Sequence, residues 1–479
     1  MADTQKVDIC VIGGGSGGLS VAAGASQMGA SVTLFESTKM GGDCLNHGCV
    51  PSKALLAAAK AMARQRGDHA FGIQSKPGFP DFENVKAHVA RVVDAIAPMD
   101  SVERFGGLGV RVVEAPAQFT GSQTVAGGGL KVTARRIVIA TGSKPAIPSI
   151  PGLDNGPFLT NETIFDVEVL PDHLLIIGGG PNGIEMAQAY HELGARVTVV
   201  EMFSILARDD PELVNLLRLR LINEGIDIIE GAAVRRVTYS SNQITLTIEN
   251  MVGGKPASER KVVGTHLLVA TGRTPSTAGL DLEVAGIESS ASGITVDARL
   301  RTTNPKVFAI GDVAGHYQFT HMAGYQAGIV IRNALFWLPA KVDYSAVPWV
   351  TYTEPELASV GLNEAQARNR HGKITVLRWP FAGNDRAQTE HIANGLVKAI
   401  ITPRGKILGA TILGPHAGEL IQIWCLAIQQ DLKIGAMART ILPYPTLGEV
   451  NKRVAGDFYA PKLFGKGTKR IVRFLSRFG

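Results

Sequence analysis

Two cysteines separated by four residues, Cys44 and Cys49, are the residues of this chain best suited to chemistry. Pro51 suits the first turn of a helix and strong helix formers follow it, so Cys49 is expected at or just before a helix N-terminus. The dipole and the free N–H groups there favour a thiolate. A disulfide across so short a loop would add little stability. We therefore predict a redox-active dithiol rather than half of a metal site or two unrelated core thiols.

A repeated glycine pattern is the second chemical signal. Residues 13–36 and 178–201 align without gaps, with 10 of 24 positions identical. Each copy follows a short apolar strand, opens a helix with Gly-x-Gly-x-x-Gly and reaches an acid 18 residues after the last glycine. The glycines allow the turn, the approach of a pyrophosphate and close helix packing, and the acid accepts the ribose hydroxyls. Two dinucleotide sites are predicted, the first with Gly13, Gly15, Gly18 and Glu36 and the second with Gly178, Gly180, Gly183 and Glu201.

Glu201 also bears on the choice of nicotinamide cofactor. A carboxylate at this position favours the 2′-hydroxyl of NAD and repels the 2′-phosphate of NADP. Arg208, seven residues further on, is a cation that could meet such a phosphate. We predict NAD(H), with NADP(H) as the alternative.

Length and composition indicate a globular protein of several domains. The chain has 479 residues, of which 45% are hydrophobic and 19% charged, and this length allows three domains of ordinary size. The polar start predicts no signal peptide, and no apolar run approaches the ~20 residues that cross a bilayer. Four cysteines are too few for a disulfide-stapled secreted scaffold, and a reducing compartment favours a catalytic pair. A cytoplasmic location is expected.

The net charge of +6 is concentrated in one segment. Residues 460–479 contain six lysines and arginines and no acid, which equals the whole excess. The high pI is therefore a property of this segment, and no nucleic-acid partner is predicted. The stretch 470–478 mixes bulky apolar and basic residues. We expect a solvated basic tail; the alternatives are contact with an anionic membrane surface or with an acidic partner.

Together, the two fingerprints and the cysteine segment resemble the class I pyridine nucleotide–disulfide oxidoreductases, the family of dihydrolipoamide dehydrogenase, glutathione reductase and mercuric reductase. The resemblance covers nearly the whole chain. Further segments that resemble the family are the Ala-Thr-Gly turns at 140–142 and 270–272, the second flavin segment at 307–312, the opening of the interface domain at 347–356, and a strand and turn at 409–415.

The resemblance implies an α/β protein with two Rossmann-like, three-layer dinucleotide-binding domains and a C-terminal α+β interface or dimerisation domain. The FAD domain would occupy residues 1–150 and 280–345, and the NAD(P) domain residues 151–279. The interface domain would occupy residues 346–479 and include the basic tail. The family is homodimeric, and each active site is completed by the C-terminal domain of the other subunit.

The resemblance also implies a route for electrons. NAD(P)H at the second fingerprint reduces FAD at the first, and the flavin then opens the Cys44–Cys49 disulfide. Cys49 faces the flavin as the charge-transfer thiolate, and Cys44 attacks the substrate. Lys53 and Glu185 match an ion pair beside the flavin, where a cation near N5 favours the reduced ring. Other positions carried over as cofactor-binding are Gly42, Lys53, Thr141, Gly142, Asp312, His321, Gly272 and Arg273.

One segment departs from the disulfide-reducing members of the family. They carry His-Pro-Thr-x-Ser-Glu, whose histidine shuttles the proton of thiol exchange, whereas this chain has Tyr-Pro-Thr-Leu-Gly-Glu at 444–449. A tyrosine stays protonated at neutral pH, which could cost a rate factor of ~10²–10⁴. Mercuric reductases carry a tyrosine here, and a hydroxyl suits a thiolate-bound soft metal. Tyr444 and Glu449 are predicted catalytic residues, and efficient turnover of dihydrolipoamide or glutathione disulfide is put in doubt.

The remaining cysteines and histidines offer few substitutes. The sequence lacks the vicinal C-terminal cysteines and the Cys-x-x-Cys domain of mercuric reductases. Cys10 and Cys425 lie in apolar runs and are expected to be core thiols, and no metal site is predicted. His47 and His321 are the histidines that could take over proton transfer.

The predicted function is an FAD-dependent NAD(P)H oxidoreductase whose small-molecule electron acceptor is open. A thiol or disulfide, a soft metal ion and a quinone-like molecule are the candidates. The alternatives are a mercuric-reductase-like metal reductase, a dihydrolipoamide dehydrogenase and a membrane-docked electron donor that uses residues 460–479.

Overall fold

The structure is a computed structural model that describes residues 3–67, 71–73, 78–252 and 255–478. The central strands of its first sheet end in apolar residues that are buried on both faces, with Ile9 and Val11 of the first strand on one face and Cys10 and Ile12 on the other. The elements of this part are β1 (Asp3–Ile12), α1 (Ser16–Gln27), β2 (Val32–Glu36), α2 (Gly42–Asn46), α3 (Cys49–Gly67), α4 (Phe82–Ile96), α5 (Val102–Gly107), β3 (Val110–Glu114), β4 (Gln118–Gly121), β5 (Thr124–Gly127), β6 (Leu130–Ile139) and β7 (Ser143–Pro145).

A second, smaller parallel sheet repeats the strand–helix–strand unit. Its strand order is β10-β9-β8-β14, and an antiparallel meander of β11, β12 and β13 stands beside it. The elements of this part are β8 (His173–Ile177), α6 (Pro181–Leu193), β9 (Arg196–Val200), α7 (Pro211–Glu224), β10 (Asp227–Ile229), β11 (Ala232–Ser240), β12 (Gln243–Val252), β13 (Lys255–Gly264), β14 (His266–Val269) and β15 (Arg273–Pro275).

The chain then returns to the first sheet. The short strands β16 (Ser289–Ser290) and β17 (Gly293–Ile294) precede β18 (Val307–Ala309), which pairs parallel with β6. The strand order of the first sheet is β3-β2-β1-β6-β5-β4. β18 pairs with the C-terminal end of β6, whereas β5 pairs with its N-terminal end. Helix α8 (Thr320–Leu335) packs with α1 on one face of this sheet, and the returning chain packs on the other through Leu280, Leu282 and Ile287. The sheet is therefore the middle of three layers.

The last part is an antiparallel sheet with helices on it, in the order β19-β20-β23-β22-β21. Its core includes the fully buried Trp424. The elements are β19 (Pro348–Thr351), β20 (Glu356–Gly361), α9 (Glu364–His371), β21 (Thr375–Pro380), α10 (Asp385–Thr389), β22 (Leu396–Ile401), β23 (Ile407–Gly414), α11 (Ala417–Leu420), α12 (Gln422–Gln429), α13 (Ile434–Arg439), α14 (Glu449–Asp457), α15 (Ala460–Leu463) and α16 (Lys466–Leu475). The α/β class with two Rossmann-like units and an α+β unit is confirmed; the domain boundaries stay a prediction.

Candidate active site

One deep cleft collects most of the predicted site residues. Its volume is about 2880 Å³, and the carboxyl ends of β1 and β8 open into it, which is where α/β sheets bind nucleotides. The predicted residues that line it are Gly13, Gly15, Glu36, Gly42, Cys44, Cys49, Lys53, Thr141, Gly142, Gly178, Gly180, Glu185, Glu201, Gly272, Arg273, Asp312 and His321.

The first and third glycines of each fingerprint are fixed by the fold itself. Gly13 and Gly178 have φ angles of +108° and +111°, a region that side chains disfavour. A Cβ on Gly18 would lie 1.8 Å from the Gly13 carbonyl oxygen, and one on Gly183 would lie 2.1 Å from that of Gly178. Each helix can therefore approach its strand only with glycine at these positions.

The middle glycines face open space instead. A Cβ on Gly180 would meet nothing within 4 Å, and one on Gly15 would have the Cα of Gly42 as its nearest neighbour, at 3.8 Å. Gly15 and Gly180 are also the N-cap residues of α1 and α6, whose free N–H groups favour an anion. The residues present therefore fit a pyrophosphate at both sites. That FAD occupies the first site and a nicotinamide dinucleotide the second stays a prediction.

The two fingerprint acids occupy equivalent positions. Glu36 and Glu201 each accept a hydrogen bond from the backbone N–H of the second residue of their own fingerprint, Gly14 and Gly179, at 2.6 Å. Each glutamate also accepts a hydrogen bond from the backbone N–H of the residue two positions after it, Thr38 at 2.7 Å and Phe203 at 2.9 Å. These bonds hold both carboxylates at the ends of β2 and β9, beside the cleft. A carboxylate oxygen has further lone pairs with which to accept a ribose hydroxyl.

The cysteine segment forms two consecutive helices that bring both sulfur atoms to the cleft. Cys44 lies in α2, and Cys49 begins α3, at the helix N-terminus that the sequence predicts for it. Ser52 closes the first turn of α3 by donating its hydroxyl to the Gly48 carbonyl at 2.7 Å. Both cysteines are thiols in this structure. With both residues as thiols, Cys44 donates a hydrogen bond to the Cys49 sulfur.

The surroundings of Cys49 favour its thiolate. The hydrogen bond from Cys44 is the largest influence, and with Thr320 and the charge of Lys53 it outweighs burial and lowers the pKa of Cys49 to about 6. The same thiol–thiol contact, together with burial, raises the pKa of Cys44. At neutral pH the reduced pair therefore carries a thiolate on Cys49 and a thiol on Cys44.

Thr320 is a functional candidate that sequence reasoning missed. Its hydroxyl lies 3.4 Å from the Cys49 sulfur, and it is the first residue of α8. The two residues are 271 positions apart, so no local pattern joins them. The available signal was its place directly before His321, after the second flavin segment.

Replacing Thr320 by valine, which has a similar shape but no hydroxyl, is expected to raise the pKa of Cys49 above about 6. The reason is that the thiolate loses a hydrogen-bond donor. A hydrogen bond to a charged group is worth about 1.5 kcal/mol, which corresponds to roughly one pH unit. The pH dependence of alkylation of the reduced protein measures this shift. Thr320→Ser keeps the hydroxyl and should titrate like the unmodified protein. An unchanged titration in the valine variant would show that Thr320 does not stabilise the thiolate.

Lys53 and Glu185 form an ion pair beside the cysteines. Lys53 Nζ lies 2.7 Å from Glu185 Oε2, and the Glu185 side chain is only 2% exposed. Burial opposes the charge of Lys53, but the carboxylate of Glu185 holds its pKa above the usual value. Glu185 Oε1 accepts the backbone N–H of Tyr352 at 2.9 Å, and the Tyr352 ring lies 4.4 Å from Lys53 Nζ. One buried carboxylate thus orients the lysine. Tyr352 is the second residue missed, because the sequence marks it only as part of a family segment.

Asp312 and Arg273 belong to one polar network. Ser143 donates its hydroxyl to Asp312 at 2.5 Å, and Arg273 donates to the hydroxyl and carbonyl oxygens of Ser143, both at 2.7 Å. Arg273 also pairs with Asp43 at 3.3 Å and with Asp312 at 3.7 Å. Burial raises the pKa of Asp312 despite these contacts. Arg273 therefore lies beside Asp312 and the cysteine segment, where β15 pairs with β7.

The turns after β6 and β14 face the same cleft. Gly142 and Gly272 have φ angles of +68° and +116°, which the turns require. Thr141 donates its hydroxyl to the Ser276 carbonyl at 2.7 Å. The two Ala-Thr-Gly segments thus lie where the chain passes from one sheet to the other.

The two candidate histidines also line the cleft. His321 Nε2 lies 3.0 Å from the Pro348 carbonyl oxygen, and its ring stacks on Phe319 with 5.2 Å between the centroids. Burial lowers the pKa of His321, which keeps the ring neutral at pH 7. His47 lies between the two cysteines in sequence. Proton transfer by either histidine stays a prediction.

Tyr444 and Glu449 are not brought to the cysteines of the same chain. Neither is among the described residues that line the cleft. Tyr444 is 68% exposed and donates its hydroxyl to Asp385 Oδ2 at 2.8 Å, a contact that raises the pKa of the tyrosine. Glu449 begins α14. Such a position suits a site shared between two subunits.

The other cysteines lie away from the cleft. Cys10 is fully buried in the first sheet, and Cys425 is half-buried against the core of the interface part. Across the described part of the chain, no cluster of three or more His, Cys, Asp or Glu side chains could hold a metal ion.

Comparison with known proteins places this geometry in a family. The pyridine nucleotide-disulphide oxidoreductase family matches residues 7–327, and the dimerisation domain of the same family matches residues 347–455. The mercuric reductase of Streptomyces lividans is 36% identical over 94% of this chain and 96% of its own. The dihydrolipoyl dehydrogenase of Thermus scotoductus is 36% identical over 93% of this chain and 96% of its own.

A solved structure agrees with these relatives. The HOCl-induced flavoprotein disulfide reductase RclA from Escherichia coli superposes with a TM-score of 0.83 at 28% identity, covering 94% of this chain and 99% of that one. The dimerisation domain supports a homodimer. The fold, the paired fingerprints and the dithiol therefore agree with the relatives, and the chain belongs to the pyridine nucleotide-disulphide oxidoreductases, a family of flavin-dependent enzymes.

Proposed function

We propose that the protein oxidises NADH and delivers the electrons, by way of FAD and the Cys44–Cys49 pair, to a thiophilic metal ion. The observation that carries this proposal is the pair of sulfur atoms that line the cleft, Cys44 and Cys49, with the Thr320 hydroxyl 3.4 Å from the Cys49 sulfur. Sulfur ligands select soft metal ions. Among the relatives, those named mercuric reductase reach 36% identity, and a Cu(II) complex of RclA is among the similar structures.

The residues of the site have separate roles in this reaction. FAD, held at the first fingerprint by Gly13, Gly15 and Glu36, would supply two-electron transfer between the nicotinamide and the disulfide. Glu201 holds the ribose of the nucleotide, and Lys53, oriented by Glu185, supplies positive charge beside the flavin ring. Cys49 holds the negative charge of the reduced pair, and Cys44 is the sulfur that first meets the acceptor. For a divalent ion reduced to the metal, NADH and the ion give NAD⁺, one proton and the neutral metal.

Tyr444 supports a metal acceptor over a disulfide acceptor. A disulfide substrate needs a group that takes and returns a proton near neutral pH, and Tyr444 bound to Asp385 has a pKa above the ordinary tyrosine value. A metal ion instead needs the two thiols to lose their protons as it binds, and the pKa of Cys49 is already lowered to about 6.

The test is NADH oxidation by the FAD-loaded homodimer on addition of Hg(II) with excess thiol, and separately of Cu(II). We expect metal-dependent oxidation that is faster with NADH than with NADPH, because Glu201 repels the 2′-phosphate. The Cys425→Ser variant, which keeps the pair in the cleft, is the matched control and should retain this activity. A flat trace with both metals would reject the metal acceptor, and equal rates with NADPH would reject the nucleotide assignment.

Dihydrolipoamide is the second candidate substrate. The Thermus scotoductus dihydrolipoyl dehydrogenase matches this chain at the same 36% identity as the Streptomyces lividans mercuric reductase. Turnover of dihydrolipoamide with NAD⁺, in a sample inactive toward both metals, would favour this candidate over the first.

A further inference from the structure

The segment after Tyr459 forms a feature that the family comparison does not cover. The dimerisation domain matches residues 347–455, and Phe458 and Tyr459 still pack against the core of the interface part. Beyond them the chain forms the short helix α15, turns at Gly465 and forms α16. The hydroxyl of Thr468 donates to the Lys462 carbonyl at 2.7 Å and fixes this turn. The tail predicted from the sequence is therefore helical.

Helix α16 and the residues next to it separate apolar and basic side chains onto two faces. The spacing of three and four residues places like side chains above one another on each face. The apolar face carries Phe464, Ile471, Val472, Phe474, Leu475 and Phe478, and the basic face carries Lys466, Lys469, Arg470, Arg473 and Arg477.

The apolar face has no protein partner within the described part of the chain. Ile471, Val472, Phe474 and Leu475 are between 57% and 60% exposed, and Phe464 and Phe478 are 74% and 75% exposed. No residue of α16 is buried. Exposed apolar side chains gathered on one helix mark an interaction surface rather than scattered surface residues.

A partner is also needed for the helix itself. α16 has ten residues, and isolated helices shorter than about 12–15 residues are marginal in water. Burial of its apolar face would supply the missing stabilisation. At about 1.5 Å per residue the helix is roughly 15 Å long, half the thickness of a hydrocarbon core, so it would lie along a surface. Within the described ranges, no helix combines the length and apolar character needed to cross a membrane.

We propose that residues 460–478 dock the enzyme onto a bilayer rich in anionic phospholipid. Charge complementarity selects this occupant, because the segment carries six lysines and arginines and no acid. Each basic residue near an anionic leaflet contributes to binding, and the aromatic and aliphatic side chains enter the boundary between headgroups and acyl chains. A second copy of the same segment would bring a second set of like charges instead. This proposal is independent of the electron acceptor.

The test is sedimentation of the FAD-loaded homodimer with vesicles of phosphatidylglycerol and phosphatidylcholine in equal parts, and with vesicles of phosphatidylcholine alone. We expect binding to the anionic vesicles that is at least about tenfold tighter and that weakens with salt. Arg470→Glu with Arg473→Glu should reduce it about tenfold or more by reversing two charges. Ile471→Ser with Phe474→Ser should reduce it about tenfold by removing two apolar anchors.

Two controls make the outcome specific. Lys373→Glu with Arg404→Glu reverses the same charge at exposed positions of the interface part and should bind vesicles like the unmodified protein. All variants should keep NADH oxidation in solution, since none of these residues lines the cleft. Equal binding to both vesicle types, or tail variants that bind undiminished, would overturn the proposal. If vesicle binding is absent, two further results would overturn the proposal. They are an assembly larger than the dimer, or capture by an acidic protein, that is lost in the tail variants.

Discussion

Replacing Cys49 by serine is expected to lower NADH-dependent reduction of the acceptor by about 10⁴-fold or more. A serine hydroxyl can neither form the disulfide nor carry the thiolate charge that the surroundings of Cys49 stabilise. Electrons that leave the flavin directly do not use the pair, so reduction of ferricyanide should persist. Rapid-mixing and steady-state assays with both acceptors measure the two routes separately. Substantial residual turnover of the thiol-dependent acceptor would place the chemistry elsewhere.

Two substitutions at Cys44 separate its chemical role from its hydrogen bond. Both remove the sulfur, so both should lose turnover as Cys49→Ser does. Cys44→Ser keeps a donor to the Cys49 sulfur, whereas Cys44→Ala removes the largest influence that lowers the pKa of Cys49. Alkylation of Cys49 should therefore rise through a pH near 6 in the serine variant and through a higher pH in the alanine variant. Identical titrations would mean that the thiol–thiol contact does not set the Cys49 charge.

The activity of the intact enzyme should also depend on the charge of Cys49. The pKa of Cys49 is lowered, so the reduced pair gains its thiolate as the pH rises through about 6 and loses it below. Acceptor reduction should fall on the acid side of that value. The pKa of Cys44 is raised, so its thiol stays protonated in the reduced pair over the neutral range.

Much of the site could be predicted because its rules are local. The glycine spacing and the acid 18 residues later are set by one turn, one helix and one strand, and the structure gives Glu36 and Glu201 the same backbone partners. The start of α3 at Cys49 could be predicted for the same reason, because Pro51 and the helix formers after it lie in one short segment. Patterns of this kind need no knowledge of the rest of the fold.

Contacts between distant segments could not be predicted in this way. Thr320 reaches Cys49 only because α8 returns to the first sheet after the second is complete. Lys398 shows the same limit: it is 3% exposed and lies within 2.8 to 3.0 Å of Asp210, Glu212 and Glu364. A lysine in a strand pattern is expected at the surface. Here the packing of α7 against the last sheet brings Asp210 and Glu212 to it, and the start of α9 brings Glu364.

Replacing Tyr444 by histidine is expected to raise dihydrolipoamide oxidation with NAD⁺ by about 10²-fold or more, within the 10²–10⁴ range of general acid–base catalysis. Tyr444 is exposed and its hydroxyl contacts Asp385, so an imidazole costs no core packing and gains a carboxylate that can orient it. Steady-state rates across pH 6 to 9 should show the gain with an apparent pKa near 6.5. Ile441→His places a histidine on the same loop at a residue that is 93% exposed, and it should give no gain. Equal gains at both positions would indicate a non-specific effect.

Mixed dimers test whether Tyr444 serves the dithiol of the other subunit, as its distance from the cleft of its own chain suggests. In one dimer, a single subunit carries both Cys49→Ser and Tyr444→His and the other is unmodified. The only working dithiol then faces the new histidine, and the gain should appear. In the other dimer, Cys49→Ser and Tyr444→His lie in different subunits, so the working dithiol faces a tyrosine and the gain should be absent. The opposite result would assign Tyr444 to its own chain, because a substitution can help only the dithiol that it reaches.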